Sequence, residues 1–201
     1  NSNSAGGKIH KKLHKLFRFL PKTVPNVKIA PSSEAACYTF GKKQFEEGKV
    51  KILHNAIPYE EFIFNQEIRN KTRKLLNVED KLVIGHIGRF NEQKNHKFLI
   101  EVFEKIKEKN KNAILILVGK GNREDEIKKQ VEQLKLKDSV MFLGTRKDVP
   151  KLLMAMDIFV FPSLYEGMPN TVMEAQATGL KCIISDTITK EANITGLVKY
   201  L

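Results

Sequence analysis

The chain has 201 residues, 41% of them hydrophobic, enough for one globular domain or one domain and part of a second. A net charge of +12 favours anionic partners: nucleotides, nucleic acid or anionic lipid head groups. Its two cysteines, Cys37 and Cys182, speak against a disulfide framework or a cysteine zinc site and fit a reducing compartment, and no apolar run approaches the roughly 20 residues of a membrane helix.

Basic residues crowd the start: Lys8, His10, Lys11, Lys12, His14, Lys15, Arg18 and Lys22, with no acidic residue before Glu34. Leu13, Leu16, Phe17 and Leu20 fall among them roughly as on an amphipathic helix. Two readings of this arm stand: a segment lying on an anionic membrane, or a solvated arm. Residues 27–30 read as a strand, and residues 32–40 as a short helix capped by Ser32 or Ser33. Residues 50–53 read as a strand, His54-Asn55-Ala56-Ile57-Pro58 as a turn, and residues 65–76 as a helix.

From Lys81 onward, short apolar runs alternate with helical patterns. Residues 82–84 form a strand leading into Gly85. Phe98, Leu99, Val102, Phe103 and Ile106 then recur at helical spacing, with Asn95 as the expected cap. Residues 114–118 are continuously apolar, as in a strand buried on both faces. A helix over 123–135, a strand over 140–143 and a helix through Met154 capped by Asp148 follow. Then come a strand over 158–161, a helix over 171–178 ended by Gly179, and strands over 182–185 and 197–201. Strand alternating with helix implies a parallel α/β sheet, doubly wound and Rossmann-like, with ligands beyond the carboxyl ends of the strands.

The glycines and charges gather at those ends. Glu166 lies in a Gly/Pro loop, and Glu174 about one turn inside the following helix, in Glu166-Gly167-Met168-Pro169-Asn170-Thr171-Val172-Met173-Glu174. Pro169 suits a helix start, Asn170 is an expected cap, and first-turn amides make an anion site. Carboxylates beside phosphates would serve another part of a ligand, such as the vicinal hydroxyls of a ribose or sugar. The plain alternative is a common loop–helix junction with surface glutamates.

Gly88 allows close backbone approach, and Arg89 and Lys94 flank the turn after the first strand of this region. Two cations there can hold a diphosphate and stabilise its charge as it departs. Taken alone, they also read as surface cations. Gly119-Lys120-Gly121 lacks the third glycine of a dinucleotide fingerprint, and Gly144-Thr145-Arg146 can line a base pocket. Asp-x-Asp, Gly-x-Ser-x-Gly and Gly-Lys-Thr/Ser motifs do not occur, and the five histidines are not at metal-ligand spacing. His86 is expected to pack in or beside the sheet.

Together these segments resemble the C-terminal half of a family 4 (group 1) glycosyltransferase of the GT-B fold. The carriers are Gly88-Arg89 with Lys94-Asn95, Val118 through Gly121, and Glu166-x7-Glu174 with Gly179 and Ser185-Asp186. The resemblance implies residues 1–54 as the end of an acceptor domain with the basic arm, 55–64 as a linker, and 65–201 as the nucleotide-sugar domain of a longer protein. It implies a retaining transferase without metal or cofactor, whose substrate is a UDP- or GDP-sugar. Arg89, Lys94 and Glu166 would act in catalysis. Gly88, Gly119, Lys120, Gly121, Arg146, Gly167, Met168, Pro169, Asn170, Thr171 and Glu174 would join them in holding the donor. Glu174 would take the ribose and Glu166 the transferred sugar.

A sugar or lipid-linked acceptor would sit on the other domain, in the cytoplasm or at the inner membrane face, in surface polysaccharide or glycoconjugate synthesis. This stretch alone is expected to bind nucleotide without catalysing transfer. Two other readings are a nucleic-acid-binding module and a GT-B nucleotide-sugar epimerase. The absence of Trp and only four Tyr weigh against nucleic acid, and the Glu-x7-Glu segment against the epimerase.

Overall fold

The computed structural model describes residue 20 and residues 24–201; the basic residues 8–18 and Lys22 lie outside them. The chain divides into two compact units between Asn55 and Ala56.

The smaller unit contains β1 (Ile29–Ala30), α1 (Ser33–Phe40), α2 (Lys42–Glu46) and β2 (Lys51–Ile52). β1 and β2 pair in parallel around Ala30, Ala36, Phe40 and Val50. Ser32 is the cap of α1, its hydroxyl accepting from the Ala35 amide at 3.1 Å. Both strands are shorter than their apolar residues imply. The sequence gives no sign of α2, which is too short to show a period.

The larger unit runs α3 (Gln66–Leu75), β3 (Leu82–Ile87), α4 (His96–Lys109), β4 (Ala113–Val118), α5 (Glu124–Gln133), β5 (Val140–Phe142), α6 (Val149–Ala155), β6 (Ile158–Phe161), α7 (Asn170–Ala177), β7 (Lys181–Ile184) and β8 (Val198–Tyr200). Its six strands are all parallel, in the order β5-β4-β3-β6-β7-β8. The chain winds outward from β3 to β5. It then returns to lay β6 against the free edge of β3, which makes β3/β6 the topological switch point. Alternate residues of β4 serve two cores. Ile114, Ile116 and Val118 join α6 and α7 on one face, while Leu115 and Leu117 join α4 and α5 on the other. Burial on both faces is why β4 is apolar throughout.

Three expected caps are corrected. Asn95 stands at the start of α4, but in the left-handed conformation (φ 54°) and without a side-chain cap bond; the short polar side chain of Asn tolerates that geometry. Asp148 precedes α6, yet its carboxylate is held by Arg146 instead. Asn170 is the first helical residue of α7. The extended backbone that a cap requires falls on Pro169 (φ −78°, ψ 110°).

At the amino ends of the strands, α3 is fastened by two arginines. Arg69 donates to the carbonyls of Met154 (2.8 Å) and Met156 (2.7 Å) and to Asp157. Arg73 is buried and donates to the carbonyls of Ala155 (2.9 Å), Glu79 (3.1 Å) and Lys81, and to Asp157 (3.2 Å). Asp157 also accepts from the Val83 amide at 2.8 Å, linking the starts of β3 and β6. Burial alone would raise the Asp157 carboxyl. The Val83 amide and the two guanidiniums outweigh it and hold the carboxyl below its ordinary range. Arg73→Met removes one of the two charges and leaves buried carbonyls without donors. It is expected to cost about 3–5 kcal/mol in urea unfolding. Lys105→Met breaks only surface pairs with Glu104 and Glu108 and should leave the midpoint unchanged.

Candidate functional site

The loops beyond the carboxyl ends of the strands interlock by backbone bonds. Gly88 donates to Val118 (2.9 Å), Phe90 to Lys120 (3.2 Å), Gly119 to Gly144 (2.8 Å) and Leu164 to Gln93 (2.8 Å). Two glycines permit this contact. A Cβ on Gly119, whose φ is +137°, would stand 2.1 Å from the Gly88 carbonyl oxygen, and one on Gly121 2.2 Å from that of Phe90. Loop packing therefore accounts for both glycines, while Lys120 is exposed between them.

Gly88 makes room in the same way. A Cβ there would lie 2.8 Å from His86 Nε2 and 3.2 Å from Lys94 Cγ and Cδ. The Lys94 stem crosses that gap, and its ammonium sits 4.4 Å from the centre of the Phe161 ring. It donates to Glu166 Oε1 at 2.7 Å, with only 17% and 12% of the two side chains exposed. The Lys94 amide is held by Asn91 Oδ1 (3.1 Å), and the Gln93 side chain donates to the Tyr165 carbonyl (2.8 Å). Lys94 comes from the loop after β3 and Glu166 from the loop after β6, so the pair spans the switch point.

Arg89 is exposed and, among the described residues, makes no ion pair. Gly88, Arg89, Lys94 and Glu166 thus converge, with Gly119, Lys120 and Gly121 alongside. Arg146 lies one loop further on, its guanidinium forked onto Asp148 at 2.8 and 2.7 Å. Met168 and Pro169 are buried, and the Met168 side chain packs into the core and anchors the loop that leads from Gly167 into Asn170 and Thr171. Glu174 is half-buried, about one turn inside α7, with no ion pair among the described residues. Burial raises its carboxyl above the ordinary value. Its oxygens can accept two hydroxyl hydrogens.

Beneath Lys94 lies a feature the sequence reading reduced to packing. His86 is fully buried, with Nδ1 2.9 Å from the Val160 carbonyl oxygen, so Nδ1 carries the hydrogen. His96 meets it edge-on with ring centres 4.6 Å apart and stacks on Phe90 at 4.1 Å. His86 Nε2, both His96 nitrogens and Ser163 Oγ are buried with no hydrogen-bond partner among the described residues. Burial lowers His86 to about 4 against the raising effect of the Val160 bond, with Lys94 adding to the fall. Burial, then His86, Lys94 and Arg123, lowers His96 to about 2. The only sequence signal was two histidines bracketing the Arg89–Lys94 turn, which have no metal-ligand spacing.

A cavity of about 560 Å³ lies at the opposite end of the sheet, lined by residues including Phe64, Arg69, Asp157 and Thr178. Of its charged lining residues, Arg69 and Asp157 are already paired with each other, and Lys181 is exposed.

Both histidines stay neutral in the folded state at pH values where the unfolded chain protonates them. Stability is therefore expected to fall as pH drops from about 6.5 toward 4, each group contributing a slope of up to about 1.4 kcal/mol per pH unit. Chemical denaturation at pH 7 and pH 5 checks this, and His96→Leu should flatten the slope.

The family described as Glycosyl transferases group 1 matches residues 67–195. The chain is 38% identical over 188 residues to the putative glycosyltransferase EpsF of Bacillus subtilis (strain 168), covering 92% of this chain and 49% of that protein. It is 34% identical over 142 residues to the UDP-Gal:alpha-D-GlcNAc-diphosphoundecaprenol alpha-1,3-galactosyltransferase of Escherichia coli, covering 69% of this chain and 37% of that protein. The chain thus spans about half or less of the length of these curated relatives. Among solved structures, Anabaena Alr3699/HepE in complex with UDP and glucose superposes with a TM-score of 0.78 at 24% identity, over 88% of this chain and 48% of that one. WaaG, a glycosyltransferase involved in lipopolysaccharide biosynthesis, gives 0.85 at 16% identity, over 100% and 56%. At such identities these structures establish the GT-B fold alone.

Proposed function

The chain belongs to the group 1 glycosyl transferases, and from that premise we propose that it forms the donor-binding part of a retaining, metal-independent enzyme. That enzyme moves a sugar from a nucleoside diphosphate onto an acceptor in surface polysaccharide or glycoconjugate synthesis. The observation that carries this reading is the meeting of Lys94 and Glu166 at the switch point, beside an exposed Arg89 that makes no ion pair among the described residues.

Arg89 and Lys94 receive the diphosphate, and as it departs with growing charge they stabilise the transition state more than the ground state. The first-turn amides of α7 add donors to the same phosphates. Glu174, with no ion pair among the described residues, accepts the ribose hydroxyls, and Glu166 faces the transferred sugar. Gly119, Lys120, Gly121 and the loop carrying Arg146 border the base. The donor reading is supported by relatives whose descriptions include UDP-Gal and UDP-glucose. The polysaccharide reading is supported by the similarity to the capsular polysaccharide biosynthesis glycosyltransferase CapM of Staphylococcus aureus, 31% identical over 159 residues. Family membership favours the transferase over a nucleic-acid module or an epimerase.

The acceptor, a sugar or lipid-linked sugar, belongs in this proposal to the other GT-B domain. The reaction is placed in the cytoplasm, with residues 8–18 against an anionic inner leaflet. Equal liposome flotation of the intact protein and of one with those lysines neutralised would sink the membrane contact.

Calorimetry with UDP, GDP, ADP and their sugars tests the donor site. One base should be preferred. Glu174→Ala should weaken nucleotide binding by about 1–3 kcal/mol. Arg89→Ala should weaken diphosphates far more than nucleosides, and equal losses would remove Arg89 from the phosphate site.

A further inference from the structure

We propose that Glu166 discriminates donor from spent nucleotide: it holds Lys94 until a sugar-bearing diphosphate displaces it, and it opposes a diphosphate that carries no sugar. This rests on the donor-site reading above and adds a direction to it.

The pair is tight, 2.7 Å, and largely removed from water. Charges so placed interact strongly, and each left alone would be uncompensated. Lys94 is the fixed member. Its stem lies along Gly88, its ammonium rests on Phe161, and its amide is held by Asn91. Glu166 sits on the connection between β6 and α7, so it is the group that yields when phosphate takes the ammonium.

What it yields to decides the outcome. In a nucleotide sugar the terminal phosphate is esterified, and the sugar brings hydroxyls that can donate to the displaced carboxylate. In a free nucleoside diphosphate that phosphate bears an additional ionisable oxygen and no hydroxyls. Glu166 then loses its cation, gains no donor and faces added negative charge. It therefore stays on Lys94 and weakens the grip on the product. After transfer the same competition drives the nucleotide out, at a step that limits turnover in many enzymes.

The test is calorimetry of the chain with UDP and UDP-glucose, and with GDP and GDP-mannose, as probes. Glu166→Gln keeps the shape and removes the charge. It is expected to bind the free diphosphate about tenfold tighter or more, and the matching nucleotide sugar no tighter. Glu166→Asp, one methylene shorter, should shift the ratio less in the same direction. Glu92→Gln removes an equal charge from an exposed residue of the neighbouring loop and should move both ligands by less than about twofold. In a Lys94→Gln background, Glu166→Gln should tighten the diphosphate less than it does in the unmodified chain, because the competition for the ammonium is gone.

An unchanged or weaker affinity of Glu166→Gln for the free diphosphate, or an equal gain for both ligands, overturns the proposal. If the unmodified chain binds nucleotides while that ratio stays fixed, the donor site survives and the discrimination does not. If the unmodified chain binds none of the probes, both fall.

Discussion

Lys94 and Glu166 meet only because β6 returns to the edge of β3 that β4 leaves free. They are 72 positions apart in the chain. No local preference brings them together; the parallel winding does. Were β6 to continue outward beyond β5, the loop after β3 would face its neighbour β4 alone, and the carboxylates of the next loop would lie strands away. The crevice, its cations and the start of α7 all follow from that one crossover, which the apolar burial on both faces of the sheet makes worthwhile.

The two ends of the sheet treat polar groups in opposite ways. At the amino ends, Arg69, Arg73 and Asp157 satisfy one another together with a ring of carbonyls and the Val83 amide. At the carboxyl ends, among the described residues, buried polar atoms of His86, His96 and Ser163 have no partners and Glu174 has no ion pair, and Arg89 faces solvent. Unsatisfied buried groups cost stability, and they concentrate where a ligand is expected rather than where the fold is fastened. The neutral histidine floor belongs to the same design. A protonated ring under Lys94 would set two cations against each other in a dry pocket.

Much of the larger unit was legible because its signals are local. The apolar run of β4, the helical spacing of Leu99 and Phe103, and the segment from Glu166 to Glu174 can each be read without knowing the fold. What escaped depends on the third dimension. Asn95, Asp148 and Asn170 are typical cap residues, yet backbone conformation or a competing arginine took them elsewhere. Gly119 and Gly121 are donor-binding residues by resemblance, and the close carbonyls of Gly88 and Phe90, which require glycine at both positions, show only once the loops are packed. The stacking of His96 on Phe90 and the Lys94–Glu166 pair required the loops to be assembled first.

Where a nucleotide docks decides whether the switch-point crevice is the donor site. Amide chemical-shift mapping of the chain during titration with UDP and GDP asks this directly. The account predicts that the largest changes fall at Gly88, Arg89, Lys94, Asn170 and Thr171, around the carboxyl ends of β3 and β6. Changes confined to Arg69, Asp157 and Thr178 at the opposite end, with the switch-point loops unmoved, would contradict it.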